Sequence, residues 1–196
     1  MGQIAFPVIE SFSEKCLNAT KPGDIIEPFT ELLRDEGILS WYVGSLAFVS
    51  SDRSRGFGFF SMPDGWFERY REAGHFEHDA VFQHGLYGER KITWSECRRL
   101  SVENGASARA LNVFKEAAEF QLTDGLIMPV RGFGDLPGAV TLGGFEPDLS
   151  REAQSSLYTV GAFAYEGLRR LVEHFRPIPP FFTEQELEVL RWTVEG

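Results

Sequence analysis

The chain has 196 residues, enough for one well-buried domain plus an appendage, and nothing in it demands two full cores. Its 43% hydrophobic and 14% aromatic content excludes a disordered or fibrous class. Nineteen basic against 29 acidic residues leave a net charge of -10, the wrong sign for a broad phosphate-neutralising face, so this chain alone is expected to bind DNA poorly.

In chain order, Ile4 to Asn18 carries apolar positions at Ile4, Val8, Phe12 and Leu17 and predicts a first helix, broken by Pro22 and Gly23. A second helix is predicted from Pro28 to Glu36, closed by Gly37, and Trp41 to Val49 has the bulky, β-branched content of a buried strand. SSDRSRG then reads as a hairpin into a second strand, GFGFF, ending near Ser61. Two short helices, Asp64 to Ala73 and Glu77 to Leu86, precede a strand at Lys91 to Trp94. Ser107 to Phe120 is predicted helical with Leu111, Phe114 and Ala118 inward. Gly125 to Arg131 and Ala139 to Phe145 flank the turn-rich GFGDLPG as an antiparallel hairpin. A long helix from Ser150 to Phe175 places Leu157, Val160, Ala164, Leu168, Leu171 and Phe175 on one stripe.

This order predicts an α+β domain, an antiparallel sheet sandwiched between helices, over residues 1–174. The segment 175–182, FRPIPPFF, cannot continue a helix through its three prolines and is expected to be a linker. Residues 183–196 begin with Thr183 and Glu186 at capping-box spacing, then Leu187, Leu190 and Val194 at helical spacing. No later helix follows to cover that face. The absence of a membrane-length apolar run and of a basic, cleavable start leads us to expect a cytoplasmic protein. Cys16 and Cys97, far apart and outside any C-x-x-C arrangement, fit two reduced thiols.

Several chemistries are weighed and set aside. RGFGFFSM with WYVGSL resembles paired RNA-recognition strands that would stack bases on Tyr42, Phe57 and Phe59, but only a hairpin-sized loop separates them where that fold needs a helix and a strand. His75, Glu77, His78, Asp79 and His84 have metal-ligand character, yet nothing nearby completes a tetrahedral set, so no metal and no cofactor are expected. No phosphate-binding loop or nucleophile elbow is present, and the chain is not expected to be an enzyme.

The informative stretch is Pro63 to Trp94, with the pattern P-x-x-W-x-x-x-Y-x-(8)-D-x-V-x-(12)-W. Trp66 and Tyr70, four apart, share a helical face, and each offers an apolar ring with one hydrogen-bonding tip. Asp79 sits among Phe76, Val81 and Phe82, where a buried carboxylate needs a donor. On spacing alone the favoured reading is that the aromatic residues are core and Asp79 is the cap of a helix beginning near Ala80.

These residues, with Gly125 to Val130 (G-x-x-x-P-V), resemble the autoinducer-binding domain of LuxR-type quorum-sensing regulators. T-x-x-E-x-E-V-L-x-W-x-x-x-G at 183–196 resembles the start of that family's helix-turn-helix, cut off after its first helix. The resemblance implies an N-acyl homoserine lactone held between the sheet and one helical layer. The Trp66 indole would donate to the lactone carbonyl, Asp79 would accept from the amide N–H, and the Tyr70 hydroxyl would donate to the amide carbonyl. Trp94 would pack over the lactone ring, with Met62, Phe67, Val81, Phe114 and Leu142 along the acyl path. It further implies a homodimer, with the 150–175 helix as candidate surface, and DNA binding through the full-length protein. Three positions depart from the family pattern: Ala80 replaces a usual proline, Met62 a frequent aromatic, and Gly144 a frequent Ser or Thr near the acyl chain. The last leads us to expect an unsubstituted, aromatic or otherwise unusual acyl group, or an orphan receptor. The alternative is a ligand-independent, truncated relative that pairs with a full-length regulator and blocks it.

Overall fold

The computed structural model describes residues 4–45, 56–131 and 137–174. The expected linker at 175–182, the capped segment at 183–196, the end of the first predicted strand at 46–49 and most of both predicted hairpin loops, at 50–55 and 132–136, lie outside these residues.

Helix α1 (Phe6–Asn18) turns Phe12 and Cys16 inward, while Val8 and Leu17, predicted on its apolar stripe, are exposed. Helix α2 (Gly23–Asp35) begins five residues before the predicted start, so Pro28 lies inside it rather than at its N-terminus. An interior proline costs roughly 3 kcal/mol. Ile25, Phe29 and Leu33, all fully buried on one face, each return about 1.5–3 kcal/mol and outweigh it. Gly37, at φ 79°, closes the helix through its N–H to Arg34 O at 3.0 Å.

Strands β1 (Ile38–Ser45), β2 (Gly58–Ser61), β3 (Ile92–Thr93), β4 (Asp124–Arg131) and β5 (Pro137–Gly144) form one antiparallel sheet in the order β2-β1-β5-β4-β3. The domain is α+β, as predicted. Long helix α7 (Arg151–His174) packs with α1 and α2 on one face, where Trp41, Val43, Leu126, Met128, Val140 and Leu142 join Phe29, Leu157, Val160, Ala164 and Leu168 in the main core. Arg170 fastens this layer by donating to the carbonyls of Cys16, Leu17 and Ala19 at 3.0–3.1 Å, the end of α1.

The opposite face is covered by α3 (Trp66–Glu72), a 3-10 turn (His75–Glu77), α4 (Ala80–Tyr87), α5 (Trp94–Glu103) and α6 (Ala108–Glu119). The predicted helix Glu77 to Leu86 is therefore broken at Asp79, whose extended backbone caps α4. Trp94, expected at the end of a strand, instead opens α5, capped by Thr93 Oγ1 accepting from Glu96 N at 3.1 Å. On α6 the buried positions are Val113, Glu116 and Ala117, and Ala118 is exposed, one residue out of phase with the predicted stripe. No helix among the described residues is long and apolar enough to cross a membrane.

Candidate ligand site

A cavity of about 470 Å³ lies between the sheet and the helices α3, α4 and α6. Its floor is the face of the sheet that alternation turns away from the main core: Tyr42 from β1, Ile127 from β4, and Ala139 and Thr141 from β5. Its roof includes Trp66, Phe67, Tyr70, Val81, Phe82, Phe114 and Ala117, and Phe57, Phe60 and Met62 line one side. A mostly apolar cleft with a few polar groups is the usual character of a small-molecule site.

Those polar groups converge on one wall. The Tyr70 hydroxyl donates to Asp79 Oδ2 at 2.7 Å, and Val81 N donates to Asp79 Oδ1 at 2.7 Å. Asp79 is thus both the cap of α4 and a cavity residue. An ionised carboxylate offers about four lone-pair sites, so these bonds, with a further one from the backbone of Phe82, leave acceptor capacity for a guest N–H. Burial pushes the carboxyl above its ordinary value, opposed in part by the hydrogen bonds from Tyr70 and the backbone of Val81 and Phe82. Burial, followed by the neighbouring Asp79, pushes the Tyr70 phenol well up. The Tyr70 hydroxyl has one proton and places it on Asp79, which makes Tyr70 the orienter of the carboxylate rather than a donor waiting for a carbonyl.

The Trp66 ring packs edge-on to Tyr70 at 5.5 Å and lines the cavity, and no described residue accepts from its indole N–H. Behind this pair lies an ionic clamp that was not anticipated. Glu116 on α6 accepts from Arg69 Nε at 2.6 Å and has His75 Nε2 3.0 Å from the same oxygen, while Asn112 donates to its other oxygen. Its hydrogen bond from Arg69 holds the Glu116 carboxyl below the usual range. His75, at 4% exposure, touches the rings of both Trp66 and Tyr70, so the clamp ties α3, the 3-10 turn and α6 behind the polar wall. This clamp explains the shifted phase of α6, since a carboxylate at 116 has to face Arg69 and His75.

Trp94 stands at the other side of that wall. Its Nε1 donates to Thr141 Oγ1 at 3.2 Å, and its ring lies on the register partners Gly125 and Gly143. A Cβ at Gly143 would come within 2.3 Å of the indole and one at Gly125 within 2.6 Å. Two glycines side by side are what let the ring lie flat on the sheet.

Of the nine residues predicted for the site, Trp66, Tyr70, Asp79, Trp94, Met62, Phe67, Val81 and Phe114 line this one cavity. Leu142 does not. It pairs with Trp41 and Leu126 on the opposite face and is fully buried in the main core, while its neighbour Thr141 faces the cavity. In a strand a shift of one position changes faces. The same parity removes the argument from Gly144, where a Cβ would meet Gly37 O at 2.2 Å instead of the cavity. Hydroxyl-bearing residues are present elsewhere in the lining, at Ser40, Ser45 and Thr141. Tyr42, Phe57, Phe60, Phe76 and Phe82 also line it, and Tyr42 could have been assigned from its alternation with Trp41 and Val43.

The histidines considered for a metal go separate ways. His75 is held by Glu116 and His84 Nε2 by Arg90 O, and among the described residues no group of three or more His, Cys, Asp or Glu is arranged to hold a metal ion. Burial pushes Cys16 and Cys97 up to about 12, so both are thiols rather than thiolates at neutral pH.

The sequence model of the autoinducer-binding domain matches residues 22–167. The chain belongs to that family. Over this autoinducer-binding domain it is 30% identical across 137 residues to the HTH-type quorum sensing-dependent transcriptional regulator RpaR of Rhodopseudomonas palustris. It is 28% identical across 135 residues to the transcriptional activator protein BjaR1 of Bradyrhizobium diazoefficiens. Each match covers 68% of this chain and 54% of the relative, so the chain spans about half the length of these curated relatives. Among solved structures, Escherichia coli SdiA superposes with a TM-score of 0.72 at 16% identity, over 97% of this chain and 79% of SdiA. The N-acylhomoserine lactone-dependent LuxR family transcription factor CepR2 of Burkholderia cenocepacia superposes at 0.65 with 14% identity, over 85% of this chain and 97% of that one. At such identities the likeness is one of fold. The chain therefore contains an autoinducer-binding domain, and over it is similar to curated quorum-sensing transcriptional regulators.

Proposed function

We propose that the cavity binds an N-acyl homoserine lactone and that occupancy is coupled to dimerisation and DNA binding, without catalysis, in the cytoplasm. The observation that carries this reading is the convergence of Trp66, Asp79 and Trp94 on one wall of a mostly apolar cavity. Asp79, oriented by Tyr70, would accept from the ligand amide N–H, and the Trp66 indole would donate to the lactone carbonyl. Trp94 would lie against the lactone ring. Apolar burial would contribute roughly 0.8 kcal/mol per methylene, and hydrogen bonds involving the carboxylate about 1.5–3 kcal/mol while fixing orientation.

Coupling follows from binding to the folded state alone. A guest that binds only the folded domain adds RT ln(1 + [L]/Kd) to its stability, so folding and any surface that depends on it follow ligand supply. The helix α7 would form the dimer surface in this reading, and DNA would be read by a segment outside the described residues.

Thermal melts of the protein with a panel of N-acyl homoserine lactones test the proposal. A melting temperature that rises with ligand concentration is the expected outcome. SdiA has also been solved in complex with octanoyl-rac-glycerol, so acyl glycerols belong in the panel as a head-group comparison. No response to any member would favour the ligand-independent inhibitor.

A further inference from the structure

Two aromatic rings of the cavity lining are each seated in a gap that two glycines leave on the sheet. One is Trp94 on Gly125 and Gly143, beside the polar wall. The other is Tyr42. A Cβ at Gly44 would come within 2.7 Å of the Tyr42 hydroxyl and one at Gly58 within 3.1 Å of its ring, so β1 and β2 are bare where that ring lies. The hydroxyl donates to Ser45 O at 2.9 Å, tying the tip of the side chain as well as its edge.

Register fixes the direction of the cavity. Trp94 covers the sheet at the level of Gly143, the partner of Ser40, whereas the Tyr42 ring leans the opposite way along β1, toward Gly44 and its partner Ala139. Thr141 and Ala139 form the floor between the two rings. For a guest whose head group is held at Trp66, Asp79 and Trp94, the floor running along β1 and β5 offers the tail a path that passes Tyr42. Ser45 and Phe57 line the space past the ring.

We propose that Tyr42 determines acyl-chain specificity: tied to Ser45 and seated on Gly44 and Gly58, it is a fixed ring on the tail's path that sets the longest tail the cavity accepts without displacing it. This rests on the acyl-ligand reading above and adds the residue that limits the tail. Each methylene that finds room gains roughly fourfold in affinity. The first that reaches the ring has to break the bond to Ser45 and push the ring against backbone, and a close-packed interior yields little to such overpacking. Affinity is thus expected to climb with chain length and then break sharply.

The test is calorimetric titration of wild type, Tyr42→Ala and Tyr42→Leu with straight-chain N-acyl homoserine lactones of increasing length, and with 1-acyl glycerols of the same lengths. Wild type is expected to gain roughly 15-fold per two carbons up to a break. Both variants are expected to move the break to longer chains and to bind the first tail that wild type rejects at least about tenfold more tightly, by the same transfer arithmetic. Tyr42→Leu keeps apolar packing and decides the matter if Tyr42→Ala does not fold. A break at an unchanged length in the folded variants, or a wild-type series that climbs without one, overturns the role of Tyr42. Failure of wild type to bind either series overturns the acyl-ligand reading itself and takes this proposal with it, and wild type alone tells the two failures apart.

Discussion

Asp79 carries two duties that a single substitution can separate. As the cap of α4 it accepts from Val81 N, and as a cavity residue it has acceptor capacity left for a guest. Asparagine caps helices as well as aspartate does but brings no charge. Asp79→Asn is therefore expected to leave the ligand-free melting temperature nearly unchanged while weakening lactone binding roughly 10- to 150-fold, the loss of one charge-assisted bond, as measured by calorimetry. The pH dependence of this group has two opposite signs. Because burial raises its folded-state value, its contribution to stability is fully present below the ordinary carboxylate range and declines as pH rises through the raised value. Ligand affinity runs the other way, since the protonated carboxyl becomes a donor. Affinity is expected to fall on acidification at a pH above that at which an exposed aspartate titrates, and Asp79→Asn should abolish that fall.

At the scale of elements, the β4–β5 pair is a platform for Trp94. The paired glycines at 125 and 143 are where the sheet gives up its own side chains so that α5 can lay the indole across it. Gly143→Ala would put a Cβ 2.3 Å from the indole, with the Trp94–Thr141 hydrogen bond opposing any shift of the ring. We expect a destabilisation of about 1–3 kcal/mol, typical of overpacking, read by denaturant melts, together with weaker ligand binding. An alanine at Gly105, where nothing lies within 4 Å, would instead meet only the strain of a φ of 72° and should leave binding alone.

At the scale of the whole molecule the sheet separates two unlike layers. The α1, α2 and α7 side is a solid core containing Phe29, Leu33, Val160 and Leu168 with no exposed surface. The α3 to α6 side is built around a void and is fastened partly by polar contacts, the Glu116 clamp and the Asp79 cap. Regions with fewer buried apolar contacts open at lower free energy. Amide hydrogen exchange is expected to be faster in α3, α4 and α6 than in α7 without ligand. A bound lactone should slow the former group selectively, and equal slowing on both sides of the sheet would contradict this division.

Periodicity carried the fold. The stripe Leu157, Val160, Ala164, Leu168 and Leu171 and the two strands flanking GFGDLPG stand where the sequence puts them, because burial of one face is written in residue spacing. Eight of the nine residues that the sequence proposed for the site line one cavity, and they were picked out by a pattern of aromatics and a carboxylate resembling a known family. Spacing could not show which face of a strand met the void. Leu142 and Thr141 differ by one position, and only the pairing with β1 and β4 settles which points inward. Nor could it show that Glu116 would be drawn under α6 by Arg69 and His75, residues 47 and 41 positions away in the chain. Local sequence determines where helices and strands form, since capping and periodicity act over a few residues. The position of a cavity, of its polar wall and of the Tyr42 ring depends on which distant residues become neighbours, and that is decided only when the sheet assembles.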